Sequence, residues 1–249
     1  MSSTARAFGL ARSLAMYYGI PFRAGRLRRF YSEFVRPGSL CFDVGAHAGN
    51  RVRCWRRLGA RVVAIEPQPD FVRILRWLYG DDDGVEIVPQ AVGRAMGSAE
   101  LLISERTPTV TTLSQAWVDN VRQEPGFESV RWSPGARVEV VTLQSLVERF
   151  GEPAFVKVDV EGFEAEALAG LATPVRALSF EYVPATRDIA LDCIEQLGVL
   201  AEYRYNWSVG ESHRLANTHW VDAAGMRSLL IGLPKGTPSG DVYAVRADA

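Results

Sequence analysis

The sequence predicts an α/β fold in which a mostly parallel sheet is covered by helices on both faces. Three observations predict it. From residue 37 onward, short apolar runs alternate with amphipathic helical stretches, the order that a doubly wound sheet imposes. Four of those runs close on an acid, Asp43, Glu66, Asp159 or Glu181, and ligands of such sheets bind beyond the carboxyl ends of the strands. The first run leads into Asp43-Val44-Gly45-Ala46-His47-Ala48-Gly49-Asn50, a glycine-bearing turn before a helix, where the backbone approaches a ligand closely and presents free N–H groups.

Residues 1–36 read as an N-terminal helical cap, with Leu10, Leu14, Tyr17 and Tyr18 near helical spacing and a break at Gly19-Ile20-Pro21. Its arginines face only Glu33, which marks a solvated helix face. Pro37-Gly38 turns the chain into a buried strand over 39–42. The helix after the glycine turn carries Val52, Trp55 and Leu58 inward and Arg51, Arg53, Arg56 and Arg57 outward, and Gly59 stops it. A second strand covers 61–65, followed by a helix with Phe71, Ile74, Leu75 and Leu78 at i, i+3, i+4 and i+7.

A third strand covers 85–88, residues 89–93 form a loop, and 99–103 is a strand suited to a hairpin. Residues 104–136 contain Pro108, Pro125 and Pro134 and are long for a connection, so they read as a lid or substrate loop. A strand at 137–141 precedes a helix capped by Thr142 and bearing Leu143, Leu146, Val147 and Phe150. The run 154–159 is a buried strand that ends in Val160-Glu161-Gly162-Phe163-Glu164 and a short helix. Then come a strand at 175–180, a helix with Ile189, Cys193, Ile194 and Leu197, an edge strand at 202–207, a polar loop at 208–220, a helix opened by Asp222 and a terminal strand at 241–246. Trp117, Tyr203, Tyr205 and Trp207 either fill core or wall a substrate site.

With 249 residues, 47% of them hydrophobic and 23% charged, the chain can bury one substantial core, so residues 37–249 read as one domain. A net charge of −1 creates no field that gathers nucleic acid, and none is expected as a partner. Cys41, Cys54 and Cys193 are odd in number and lack CxxC spacing, which argues against a disulfide scaffold or a zinc site and fits the cytoplasm. The apolar residues of 8–20 are broken by Arg12 and Ser13 and are too few to span a bilayer, so neither export nor stable membrane insertion is expected. Oligomeric state is left open, a homodimer included.

A carboxylate at a buried strand end is costly unless it meets a partner or a ligand, so four on one rim point to a pocket. Glu66 lies about twenty residues past the glycine turn, where an acid accepts both hydroxyls of a ribose. Asp43 reads either as a brace for the turn or as a cofactor contact. The turn does not match G-x-G-x-x-G, which disfavours a nicotinamide cofactor. S-adenosylmethionine, a cationic nucleoside without phosphate, fits an acidic rim best.

Pro37-Gly38, the turn from Asp43 to Gly49, Ile65-Glu66-Pro67, Ala91-Val92-Gly93, Val140-Val141-Thr142-Leu143 and above all Lys157-Val158-Asp159-Val160-Glu161-Gly162-Phe163-Glu164 resemble the FkbM-type family of S-adenosylmethionine-dependent methyltransferases. The resemblance covers residues 37–182. It implies a Rossmann-like class I methyltransferase fold, with a seven-stranded, mostly parallel sheet and a terminal antiparallel strand. It also implies that Asp43, Gly45, Ala46, His47, Gly49 and Asn50 shape the cofactor turn, that Glu66 and Pro67 meet the ribose, and that Gln90 and Ala91 lie by the adenine. Asp159 and Glu161 would border the methionine end and the substrate. His47 stands where the family has Asn or Gly, and Gln144 where it commonly has Asp.

The implied activity is O-methylation of a hydroxyl on a sugar or specialised metabolite, as in natural product biosynthesis. A non-catalytic nucleoside-binding module is the rival. Removing the hydroxyl proton needs a base, for which His219, His213 and Glu161 are the candidates. Carboxylates suit Mg²⁺, but without a histidine-bearing ligand cluster a metal is not favoured.

Overall fold

A computed structural model describes residues 23–104, 107–124, 127–234 and 236–248. The expected helical spacing around Leu10 to Tyr18 lies outside the described residues. In chain order the elements are α1 (Arg23–Tyr31), β1 (Leu40–Val44), α2 (Asn50–Arg57), β2 (Arg61–Ile65), α3 (Pro69–Tyr79), β3 (Val85–Val88), β4 (Ala91–Val92) and β5 (Gly97–Ile103). There follow α4 (Gln115–Val121), β6 (Ser133–Val141), α5 (Leu143–Phe150), β7 (Phe155–Val158), α6 (Glu164–Leu168), β8 (Ala177–Tyr182), α7 (Arg187–Leu200), β9 (Tyr203–Val209), α8 (Ala223–Gly232) and β10 (Gly240–Arg246).

The main sheet has seven strands in the order β3-β2-β1-β7-β8-β10-β9. Only the pairings made by β10, with β8 and β9, are antiparallel. The sheet is therefore the Rossmann-like class I methyltransferase arrangement. Strand order reverses between β1 and β7, and such a switch point opens a crevice at the carboxyl ends of the strands.

Helices cover both faces, so the central strands are apolar on both sides. Phe42, Val44, Val156 and Val158 pack with Leu146, Ile194, Leu197 and Met226 on one face. On the other, Cys41, Val62 and Phe155 pack with Leu27, Tyr31, Val52 and Trp55. Strand alternation then sends Asp43 and Lys157 into this second layer, beneath α1 and α2. Both are buried.

Helix α1 packs against the sheet: Phe30 lies 5.1 Å from Tyr243 and Tyr31 5.3 Å from Trp55, ring to ring. Three expectations change. Arg51 does not face outward; it is buried, because 51, 54, 55 and 58 form the i, i+3, i+4, i+7 stripe of α2 that meets the sheet. The strand expected to close a hairpin with β3 pairs instead with β6, in a separate sheet ordered β4-β6-β5. Ala91–Val92, expected within a loop, is the short strand β4 of that sheet. Among the described residues no helix is long and apolar enough to cross a membrane.

Candidate active site

The glycine turn is built by close approach. Gly45 has φ +83°, and its N–H and that of Ala46 donate to the Ile65 carbonyl at 2.9 and 3.1 Å. The Asp159 N–H donates to the Val44 carbonyl at 3.0 Å, so the ends of β1, β2 and β7 are tied together. A Cβ on Gly45 would stand 1.8 Å from the Asp159 carbonyl oxygen, which only glycine avoids. Gly49, at φ +80°, closes the turn, and its carbonyl accepts the Tyr79 hydroxyl at 3.0 Å. His47 between them also has positive φ, and its ring lies 5.3 Å from that of Phe71.

Beyond the strand ends opens a cleft of about 470 Å³, lined by Gly45, His47, Glu66, Pro67, Gln90, Ala91, Asp159, Phe163 and, from the segment between β5 and β6, Thr111, Thr112 and Leu113. A recess of about 260 Å³ adjoins it, lined by Asp43, Gly45, Ala46, His47, Asn50, Arg51 and Asp159. Gly49 lines neither space and acts through the turn.

The Glu66 carboxylate accepts N–H bonds from His47 and Gln68, each at 2.8 Å. Burial raises its pKa to about 7 despite those bonds. Burial likewise raises Asp43 to about 7, against the pull of Arg51 and Lys157 and of a bond from the Val52 N–H. In the recess, Asp43 Oδ2, Asn50 Nδ2 and Arg51 Nε have no partner among the described residues. His47 is held neutral, its pKa lowered by burial to about 4.

Strand β7 delivers the acidic rim. Lys157 Nζ lies 2.8 Å from Asp241 Oδ1 and 3.2 Å from Asp159 Oδ2. Burial disfavours its charge, but Asp159 and Asp241 outweigh that and raise its pKa. Burial opposes ionisation of Asp159 too, yet Lys157 and Arg51 prevail and lower its pKa. Carboxylate oxygens of Asp159, Glu161 and Glu181 lie within 4.8 Å of one another. Burial, then Asp159 and Glu164, push Glu161 well above the usual carboxylate range. Glu181 is pushed the same way by burial and then by Glu161. Glu164 closes the turn after β7, accepting from Val160 N–H at 2.9 Å and Gly162 N–H at 3.0 Å.

The two loop histidines do not join this rim. His213 is buried with its ring 6.4 Å from that of Phe30, and its Nε2 lies 3.2 Å from Glu211 Oε2. His219 is exposed. Neither lines the cleft or the recess. The reason is the return of the chain along β9, where Val221 bridges Tyr205 antiparallel and carries residues 213–219 back from the strand tips. Of the three candidate bases, Glu161 sits with the other acids.

Sequence reasoning missed Arg51, Gln68, Phe163 and the Thr111–Leu113 wall. For Arg51 a signal existed, since it shares the helical stripe of Cys54, Trp55 and Leu58. Residues 104–136 stand out by their length, but no periodicity within them singles out Thr111–Leu113.

Residues 43–230 match the model of the methyltransferase FkbM domain. No curated protein matches the chain. Similar solved structures include a TehB-like SAM-dependent methyltransferase from Corynebacterium glutamicum, at 11% identity and TM-score 0.48 over 98% of this chain and 98% of that one. A precorrin-6y C5,15-methyltransferase from Geobacter metallireducens is similar at 12% identity and TM-score 0.41, over 90% of this chain and 87% of that one. Aeropyrum pernix fibrillarin with bound S-adenosyl-L-methionine is similar at 9% identity and TM-score 0.44, over 85% and 68%.

Proposed function

The chain belongs to the FkbM family of S-adenosylmethionine-dependent methyltransferases, and from that membership we propose that it methylates a hydroxyl of a small molecule, with Glu161 taking the hydroxyl proton. The observation that carries this reading is the place of Glu161, on the turn that follows β7: it does not itself line the cleft, but its chain neighbour Val160 does, and its carboxyl lies within 4.8 Å of that of Asp159, which lines cleft and recess alike.

The residues present fit the cofactor. Beneath the turn, Asp43, Asp159 and Asp241 face two buried cations, Lys157 and Arg51, so a cationic ligand improves the balance of charge. Glu66 would take the ribose hydroxyls, and Gln90 and Ala91 the adenine edge. The recess offers acids to an ammonium, and Asn50 and Arg51 as donors to a carboxylate. When bound, the cofactor supplies an electrophilic methyl on a sulfonium.

The chain's own groups do the rest. Asp159, kept ionised by Lys157, favours positive charge at the cleft edge. Glu161, in its ionised form, accepts the proton that the acceptor hydroxyl loses as its oxygen gains the methyl, and burial and Asp159 give that carboxylate a raised affinity for a proton. Phe163 and Leu101 give the cleft apolar walls that keep water out. An acidic rim repels phosphate, which supports an uncharged acceptor such as a sugar or specialised metabolite over nucleic acid. Three buried free cysteines suit work in the cytoplasm.

The test is Glu161→Gln, assayed for methyl transfer to a panel of hydroxyl acceptors. Turnover should drop by about 10²-fold or more while cofactor affinity stays the same. Full turnover in Glu161→Gln would remove Glu161 as the base.

A further inference from the structure

The turn that presents Glu161 is conformationally expensive. Glu161 has φ +53° and Gly162 φ +87°, two left-handed residues in succession, the first with a side chain. A side-chain-bearing residue in the left-handed region is strained and persists only where its surroundings over-determine it. From within its own segment, the Glu164 carboxylate holds the Val160 and Gly162 N–H groups. From the other side comes the lid.

Trp117 of α4 is almost fully buried, and its indole lies against the Gly162 backbone so closely that a Cβ there would stand 2.1 Å from its Cγ and Cδ1. The indole is wedged by Phe127 at 5.7 Å and Trp132 at 6.1 Å, both edge-on. Its own Nε1 has no hydrogen-bond partner among the described residues, so packing rather than a polar contact fixes its place. Trp132 Nε1 donates to the Val110 carbonyl at 2.8 Å, next to the Thr111–Leu113 wall of the cleft. Ser114 caps α4 by accepting the Trp117 N–H at 3.1 Å. One segment thus lines the cofactor cleft at one end and bears on the Glu161 turn at the other.

We propose that Trp117 is a positioning residue for the transfer: its indole, seated on Gly162, holds the turn that aims the Glu161 carboxyl, so that seating of the lid completes the base. This rests on the reading of Glu161 as proton acceptor. A lid that only excluded water would have no need to touch Gly162.

The experiment measures turnover and S-adenosylmethionine affinity of the full chain for Trp117→Ala, Trp117→Phe, Glu161→Gln and the Trp117→Ala/Glu161→Gln pair. Trp117→Ala should lower kcat at least tenfold with cofactor Kd changed less than threefold, and Trp117→Phe, which keeps a flat ring on Gly162, should recover at least a third of wild-type kcat. In the Glu161→Gln background, Trp117→Ala should cost less than threefold more, because there is no base left to aim. If Trp117→Ala fails to fold, Trp117→Leu, which keeps apolar bulk without the ring, is judged by the same criteria. Wild-type kcat in Trp117→Ala, or the same loss in both backgrounds, overturns the positioning role while leaving Glu161 standing. Full turnover in Glu161→Gln overturns the base reading instead.

Discussion

Gly45 rests against the backbone carbonyl of Asp159, with room for a hydrogen and none for a methyl. The contact joins the cofactor turn to the strand that carries the acidic rim. Gly45→Ala must shift one or the other and also occupy φ +83° with a side chain. We expect it to weaken S-adenosylmethionine binding at least tenfold and to lower stability by about 1–3 kcal/mol. Calorimetric titration and denaturant unfolding check both, and wild-type affinity would refute the role given to the turn.

Glu66 predicts the pH dependence of cofactor binding. Its ionised form accepts ribose hydroxyls, and burial raises its pKa to about 7. Below pH 7 the ionised fraction shrinks up to tenfold per unit, so affinity should rise with pH through about 7 and level off above it. Glu66→Gln should flatten this profile and weaken binding about 10- to 100-fold. Titrations at pH 5.5, 7 and 8.5 decide the matter.

Asp43 predicts how the cofactor-free fold responds to pH. Its pKa is about 7 in the fold against an ordinary 3.8, so the native state keeps a proton that the unfolded chain has lost. The native state therefore binds more protons between about pH 4 and 7, and this group's contribution declines as pH rises through that window, then stays flat. Asp43→Asn should melt higher than wild type at pH 8, with the gap closing toward pH 4, yet bind cofactor more weakly. An Asp43→Asn protein that melts lower at pH 8 would contradict this.

Prolonged treatment with a chelator should leave turnover unchanged. Asp159 already has the Lys157 ammonium at 3.2 Å as counter-charge, so one member of the three-carboxylate cluster is paired without a metal. Loss of turnover that Mg²⁺ restores would reassign Asp159, Glu161 and Glu181 to metal binding.

What the sequence revealed was local. The glycine turn, the acid at the tip of β2 and the Lys157 to Glu164 run are contiguous signatures whose spacing carries their geometry. The alternation of apolar runs likewise located all strands of the main sheet. Pairings across long separations stayed hidden: β5 finds β6 across some thirty intervening residues, and nothing near residue 97 announces that partner. Arg51 reads as solvated because charge usually is, but Glu211 of the loop after β9, Asp241 of β10 and Asp159 of the turn after β7 give it counter-charge inside the fold. His213 and His219 seemed to face substrate since their loop leaves a strand tip, and only the folded chain shows it doubling back along the sheet edge.

Ile103 and Ser133 stand opposite each other as paired residues where β5 ends and β6 begins. The polypeptide between them departs and rejoins at a single doorway, so its length and composition can change without rethreading either sheet. Exchange of this cassette is thus compatible with both sheets so long as an aromatic plate still rests on Gly162.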